Sequence, residues 1–475
     1  MELNGSGGRI REDGLIGFVA SGSRASWCYV LLVEGREDIV AEETFAYVLD
    51  RGDVVLGVLR SGQGLDENLK IGAYGPGVAY AKKGFAPSSS RRSFTYVFSV
   101  IGRVEGGELR ENRLILTPGS PVHICIENPF LNIRGNYVYS ARHWEKPWRI
   151  PFDPRGIPMH IGIVGSTGSG KSFLARHVII PLMNSVGYAV LAFDWHGCDY
   201  APYAGDGGRV SISDVRLNGS VAAAHIAEKA SFFGFRSGEN EICRALQAVL
   251  EESDDWRGLS LPEFRAWVEK KLSSVIDEKK WGRLSPAFQR GLSKISDGDW
   301  GKILGRLDPA EIIEAARLRG FLAVDMSGFR EAEKLSTFLS IAEEIKRRID
   351  GGEKMNLCLL IDEAPQYCPY KTEGLQEEVK DLIRDLAATG RKHNLSLILV
   401  SQGLAGEIGV DAAVRRNLNT HFIGRIMPQD RREVEDMLGA YHISYESLLR
   451  LQPGQFYFEG RMNPFPTPLL ISFDL

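Results

Sequence analysis

Gly165-Ser-Thr-Gly-Ser-Gly-Lys-Ser172 decides how the rest of the chain is read. It follows a β-type run, Met159-His-Ile-Gly-Ile-Val164, and opens into a helical one, Phe173-Leu-Ala-Arg-His-Val-Ile-Ile180. Gly, four residues, then Gly-Lys-Ser between a strand and a helix is the context in which this pattern carries weight. Backbone N–H groups of Gly165, Thr167, Gly168, Ser169 and Gly170 are expected to curl round phosphate oxygens, backed by the positive end of the helix. Lys171 would reach the β- and γ-phosphates of ATP, and the Ser172 hydroxyl would ligate Mg²⁺. A Gly/Ser linker needs neither the Lys-Ser pair nor a buried strand before it.

Composition sets outer bounds. The 475 residues are enough for two or three domains with full cores. Apolar residues make up 44% and charged residues 25%, ordinary values for a globular protein. No apolar run approaches membrane-span length, and Met1-Glu-Leu-Asn-Gly-Ser-Gly-Gly-Arg-Ile10 lacks the core of a signal peptide, so a cytoplasmic location away from any membrane is expected. The six cysteines show no CxxC spacing and read as buried, reduced thiols. A net charge of −4 excludes a chain coated in positive charge but not a local basic lining.

N-terminal to the loop, residues 1–127 carry short β-rich runs separated by glycine-containing turns, such as Cys28-Tyr-Val-Leu-Leu-Val33 and Val54-Val-Leu-Gly-Val-Leu59. Such spacing predicts a small antiparallel barrel. Arg51-Gly-Asp53 reads as turn chemistry. Residues 128–158 read as a connector to the domain expected over 159–475, and Arg155 as a surface or capping group.

C-terminal to it, Tyr188-Ala-Val-Leu-Ala-Phe193 predicts a buried strand ending in Asp194-Trp-His-Gly-Cys-Asp-Tyr200. Polar groups at such a strand end face the ligand crevice, so Asp194 or Asp199 could hold Mg²⁺ or position water. Apolar stripes at helical spacing over about 211–318 predict a helical insertion. The sheet then resumes at Gly320–Met326, and Asn356-Leu-Cys-Leu-Leu-Ile-Asp-Glu363 runs into two acids. Asp362 would hold a water on Mg²⁺, and Glu363 would polarise the water attacking the γ-phosphate. Leu395-Ser-Leu-Ile-Leu-Val400 is tipped by Ser401-Gln402, whose amide could sense that phosphate. Arg391, at a helix–strand junction, either reaches a neighbouring subunit's nucleotide or complements the helix dipole.

His160-Ile-Gly-Ile-Val-Gly-Ser-Thr-Gly-Ser-Gly-Lys-Ser172, Phe193–Tyr200, Leu359-Leu-Ile-Asp-Glu-Ala-Pro-Gln-Tyr367, Thr389–Gln402 and Asn419–Arg425 occur in that order. Together they resemble the HerA family of hexameric DNA-translocating ATPases, within the group that includes FtsK and the conjugation ATPases. The resemblance implies an α/β P-loop (RecA-like) ATPase domain with a helical insertion, preceded by a small N-terminal β-barrel. It implies Lys171 and Ser172 on phosphate and Mg²⁺, Glu363 as catalytic carboxylate, Gln402 as sensor and Arg391 as trans-acting finger. It further implies a homohexameric ring threading double-stranded DNA, with a partner nuclease of the NurA type in end processing. The family segment usually reads D-x-H-G-E-Y; here one residue is added and Asp199 stands for the glutamate, so Asp199's role stays open. Tyr370-Lys371-Thr372 is a candidate pore segment. Two other readings compete: a conjugation- or secretion-type motor, and a nucleotide-dependent ring scaffold or defence-complex ATPase that activates an effector.

Overall fold

The computed structural model describes residues 14–69, 76–85, 92–230, 241–369, 371, 374–404 and 409–473. Its contacts divide into two units, residues 1–155 with 422–475, and residues 156–421.

In the first unit, seven strands form one sheet: β1 Leu15–Val19, β2 Trp27–Leu32, β3 Phe45–Asp50, β4 Asp53–Asp66, β5 Arg92–Glu105, β6 Glu108–Arg110 and β7 Pro121–Ile124. The order β2-β1-β7-β3-β4-β5 closes on itself because β2 also pairs with β5, and β6 is appended to β5. This is a closed six-stranded antiparallel barrel. Alternation does the work: in β2, Cys28, Val30 and Leu32 point inward while Tyr29 and Leu31 point out. Arg51 and Gly52, both at positive φ, make the two-residue turn between β3 and β4 that such a hairpin requires. Beyond the barrel, β8 Val138–His143 and β9 Arg149–Phe152 pair with each other. β8 also pairs with the C-terminal strand Leu469–Ser472, itself paired with Gln455–Gly460. A buried guanidinium ties the C-terminal stretch to the barrel: Arg60 pairs with Glu43 at 2.7 Å and donates to Thr467 Oγ1 at 2.8 Å and to the Tyr441 carbonyl at 3.2 Å.

The second unit is built on six parallel strands: β10 Ile161–Val164, β11 Ala189–Asp194, β12 Arg209–Ser211, β13 Phe321–Asp325, β14 Leu357–Ile361 and β15 Leu395–Ser401. Their order is β12-β13-β11-β14-β15-β10. β10, β11, β14 and β15 are buried at every position, which is why they read as unbroken apolar runs. Between β12 and β13 lie helices that include Gly219–Lys229, Leu261–Val275 and Glu278–Leu292, and their apolar faces join the same core as the sheet. The helix after the phosphate loop is not regular. Pro181 lacks the N–H that an α-turn needs, and Ala175–Ile179 forms a π-helical turn just before it.

The cysteines are free; Cys28, Cys358 and Cys368 are buried, whereas Cys198 is exposed, since it lies in the loop after β11 and not in a strand. No described helix is long and apolar enough to cross a membrane.

Candidate nucleotide-hydrolysis site

Strand order assembles the site. β10 pairs with β15, and β15 with β14, so the glutamine strand stands between the phosphate-loop strand and the acidic one. Val164 is in register with Ser401, and Ile361 with Leu399. Consequently Gly165, Gln402 and Asp362-Glu363 leave the sheet at one edge.

In the loop, Gly168 and Gly170 adopt φ of 76° and 96°, a region costly for any side chain. Gly170 caps the helix that begins at Lys171. Lys171 Nζ donates to the carbonyls of Gly165 at 2.8 Å and Ser166 at 3.2 Å. Burial lowers its pKa, opposed by the carboxylates of Glu363, Asp362 and Asp199. Ser169 is 1% exposed, and its hydroxyl has no partner among the described residues. A buried orphan hydroxyl and a half-buried ammonium resting on carbonyls are the groups a bound phosphate chain would satisfy.

Across the edge, Gln402 Nε2 donates to both carboxylate oxygens of Glu363, at 3.1 and 3.3 Å. Thr167 Oγ1 donates to Gln402 Oε1 at 3.4 Å, so the loop tip, the amide and the carboxylate are linked in series. Glu363 itself is left-handed, with φ 47° and ψ 49°. Asp362 is 4% exposed. Burial, then Asp199, Glu363 and Asp194, raise its pKa well above the carboxylate range. Such a crowded carboxylate suits a divalent cation, which would relieve both costs.

One oxygen each of Asp194, Asp199 and Asp362 lies within 4.8 Å of the others. Asp194 is nonetheless occupied elsewhere. Its Oδ1 accepts from the N–H of Gly197 at 2.9 Å, and its Oδ2 from those of Asp199, Tyr200 and Ala201 at 3.1, 2.8 and 2.9 Å. The carboxylate is the centre around which the 197–201 loop folds. Asp199 is held from the other side by Arg176, which donates to its carbonyl at 2.5 Å. By sequence the two aspartates are equivalent; only the loop's hydrogen bonds separate them. Sequence reasoning also passed over Tyr200, wholly buried against this cluster. The signal available was its place directly after Asp199.

Arg391 sits on the exposed turn Gly390–His393, immediately before β15. Since β15 runs parallel to β10, that turn lies at the opposite edge from Gly165, a strand length of roughly 20 Å away. Arg155 pairs with Asp153 at 2.7 Å on the surface, as a capping group would. Of the pore candidate, Tyr370 and Thr372 lie outside the described residues; Lys371 is exposed.

Residues 139–345 match the protein family described as "Helicase HerA, central domain". Among solved structures, the chain is similar to VirB4 of Thermoanaerobacter pseudethanolicus, with a TM-score of 0.50 and 16% identity, covering 72% of this chain and 97% of that one. It also aligns with the bacterial conjugative coupling protein TrwBdeltaN70, with a TM-score of 0.47, 15% identity and coverage of 67% and 86%. A third match is the genome packaging NTPase B204 from Sulfolobus turreted icosahedral virus 2, with a TM-score of 0.33, 14% identity and coverage of 66% and 97%. No curated protein sequence matches. A phosphate loop, an acidic strand end and an intervening glutamine strand on a RecA-like sheet make the chain a P-loop ATPase, and its residues 139–345 match the HerA central domain.

Proposed function

We propose that the chain is one subunit of a homohexameric ring that hydrolyses ATP to move double-stranded DNA, working with a nuclease partner of the NurA type at DNA ends. The observation that carries the ring is the separation of Arg391 from its own phosphate loop by the length of β15. An arginine there cannot serve its own site, and a neighbour's nucleotide is the reachable target. The HerA helicase match supports DNA as the substrate track.

In this reading Lys171 and the N–H groups of Gly165, Thr167, Gly168, Ser169 and Gly170 bind the phosphates. Ser172 and Asp362 are the residues that would hold Mg²⁺, which would supply charge neutralisation to the phosphates when bound. Glu363 takes a proton from the attacking water. Gln402, bonded to both Glu363 oxygens and to Thr167, sets the direction of that carboxylate relative to the loop. Arg391 of one subunit stabilises the charge developing on its neighbour's γ-phosphate.

The test is the ATPase rate with and without linear duplex DNA, run beside a mass measurement of the assembly. A hexamer stimulated by duplex DNA, and retaining a co-expressed nuclease, is expected. A hexamer indifferent to DNA would favour the effector-activating scaffold, and a monomer with full activity would overturn the ring.

A further inference from the structure

Tyr200 is wholly buried, and its backbone N–H is fixed to Asp194 Oδ2 at 2.8 Å. The ring is therefore set rigidly inside the site wall. Its hydroxyl faces that of Ser172 and lies in the field of Asp362, Asp199 and Asp194. Yet it makes no hydrogen bond of ordinary geometry among the described residues. A buried hydroxyl left unsatisfied is a cost that a phenylalanine in the same place would avoid.

We propose that the Tyr200 hydroxyl is a positioning group for the divalent-cation site: it accepts a hydrogen bond from the Ser172 O–H and donates its own to the Asp362–Asp199 carboxylates. The inference rests on the placement of Mg²⁺ at Ser172 and Asp362.

A serine that ligates a cation needs an acceptor for its own O–H. To present a lone pair to a cation, Ser172 must direct its O–H elsewhere, and a phenol oxygen has two lone pairs to accept it. The phenol keeps its proton at neutral pH, since tyrosine ordinarily ionises near about 10. It then has one donor left, facing an acidic cluster rich in acceptors. Asp194 is a poor recipient because four backbone N–H groups already fill its oxygens. Asp362 and Asp199 remain. The segment Asp194–Tyr200 thus acts as a unit: Asp194 shapes the loop, and the loop delivers Asp199 and Tyr200 to the cation side of the phosphate cradle. Groups that orient metal ligands from behind are commonly worth 10–100-fold in metal affinity.

The test uses Mn²⁺ as the probe, its binding followed by electron paramagnetic resonance in full-length Glu363→Gln protein saturated with ATP. Adding Tyr200→Phe is expected to weaken Mn²⁺ binding by about tenfold, at the lower end of that range. Nucleotide affinity in EDTA should be unchanged, and metal-free thermal stability unchanged or higher, since an unpartnered hydroxyl has been removed. Ser172→Ala is measured alongside. If Ser172→Ala weakens Mn²⁺ binding and Tyr200→Phe does not, the role given to Tyr200 is overturned. If neither variant weakens it, the cation placement itself fails. A fall in metal-free stability with unaltered Mn²⁺ affinity would make Tyr200 a packing residue and equally overturn the inference.

Discussion

Glu363 holds a left-handed backbone conformation that costs a residue with a Cβ roughly 1–2 kcal/mol. The conformation turns the chain sharply at the end of β14, and the side chain is met by the Gln402 amide, which bonds both oxygens. Strain at a carboxylate aimed at a phosphate loop is the pattern of a working residue. Glu363→Gln is therefore expected to keep ATP binding and lower hydrolysis by on the order of 10²–10⁴-fold. Lys171→Ala should lose ATP binding itself, and equilibrium binding of a fluorescent nucleotide separates the two. Hydrolysis persisting in Glu363→Gln would remove it from the catalytic role. Gly197 makes a sharper structural case. It sits at φ 73°, and an added Cβ would lie 2.2 Å from Asp325 Oδ1 and 2.7 Å from the Ser327 side chain. Backbone cost and clash add, so Gly197→Ala should destabilise by at least about 2 kcal/mol in urea unfolding. A loss below about 0.5 kcal/mol would show that the loop gives way.

At the level of elements, one histidine couples the phosphate-loop strand to β15 and to the helix Leu375–Thr389 that leads into the Arg391 turn. His160, just before β10, faces Ala387 O through Nε2 at 2.9 Å and accepts from the Leu397 N–H through Nδ1 at 3.0 Å. Burial, with a contribution from Arg391, lowers its pKa from 6.5 to about 4. The sign follows from which state takes the proton first. The unfolded chain protonates near 6.5 and the folded one only near 4, so this stability is complete above about pH 6.5 and lost as pH falls toward 4. At about pH 5 the loss amounts to roughly 2 kcal/mol. The unfolding free energy of the wild type should thus fall more steeply between about pH 7 and pH 5 than that of His160→Gln. Equal slopes would mean that His160 is not held neutral by the fold. Buried His143 and His225, also lowered to about 4, act in the same direction in both proteins and cancel in the comparison.

For the whole molecule, the proposed ring predicts complementation. Arg391→Ala damages the site of a neighbour, whereas Glu363→Gln damages its own. Mixed in one assembly, the two variants create some interfaces with an intact glutamate facing an intact arginine. Titrating one inactive variant into the other should restore part of the wild-type rate, with a maximum at intermediate ratios. A rate that stays at the level of the separate variants at every ratio would rule out the trans role. Any DNA stimulation should weaken as salt rises, because phosphate contacts release counterions.

Much of this protein was legible locally. Strand–loop–helix punctuation, the Gly-Lys-Ser triplet, an apolar run ending in Asp362-Glu363 and the alternation of the barrel strands all express short-range torsional and burial preferences, which neighbouring residues fix by themselves. From these came the phosphate cradle, the acidic strand end and the barrel. What the tertiary structure decided was convergence. Gln402 reaches Glu363 and Thr167 only because β15 lies between β10 and β14, and sheet order is not contained in the periodicity of any strand. Asp194 and Asp199 look interchangeable in one loop until four backbone N–H groups claim the first. Residues 422–475 group with the N-terminal unit through the pairing of β8 with Leu469–Ser472 and the partners Arg60 finds about four hundred positions away, contacts between distant segments that no local pattern specifies. Local preferences name the functional groups; long-range packing decides which of them meet.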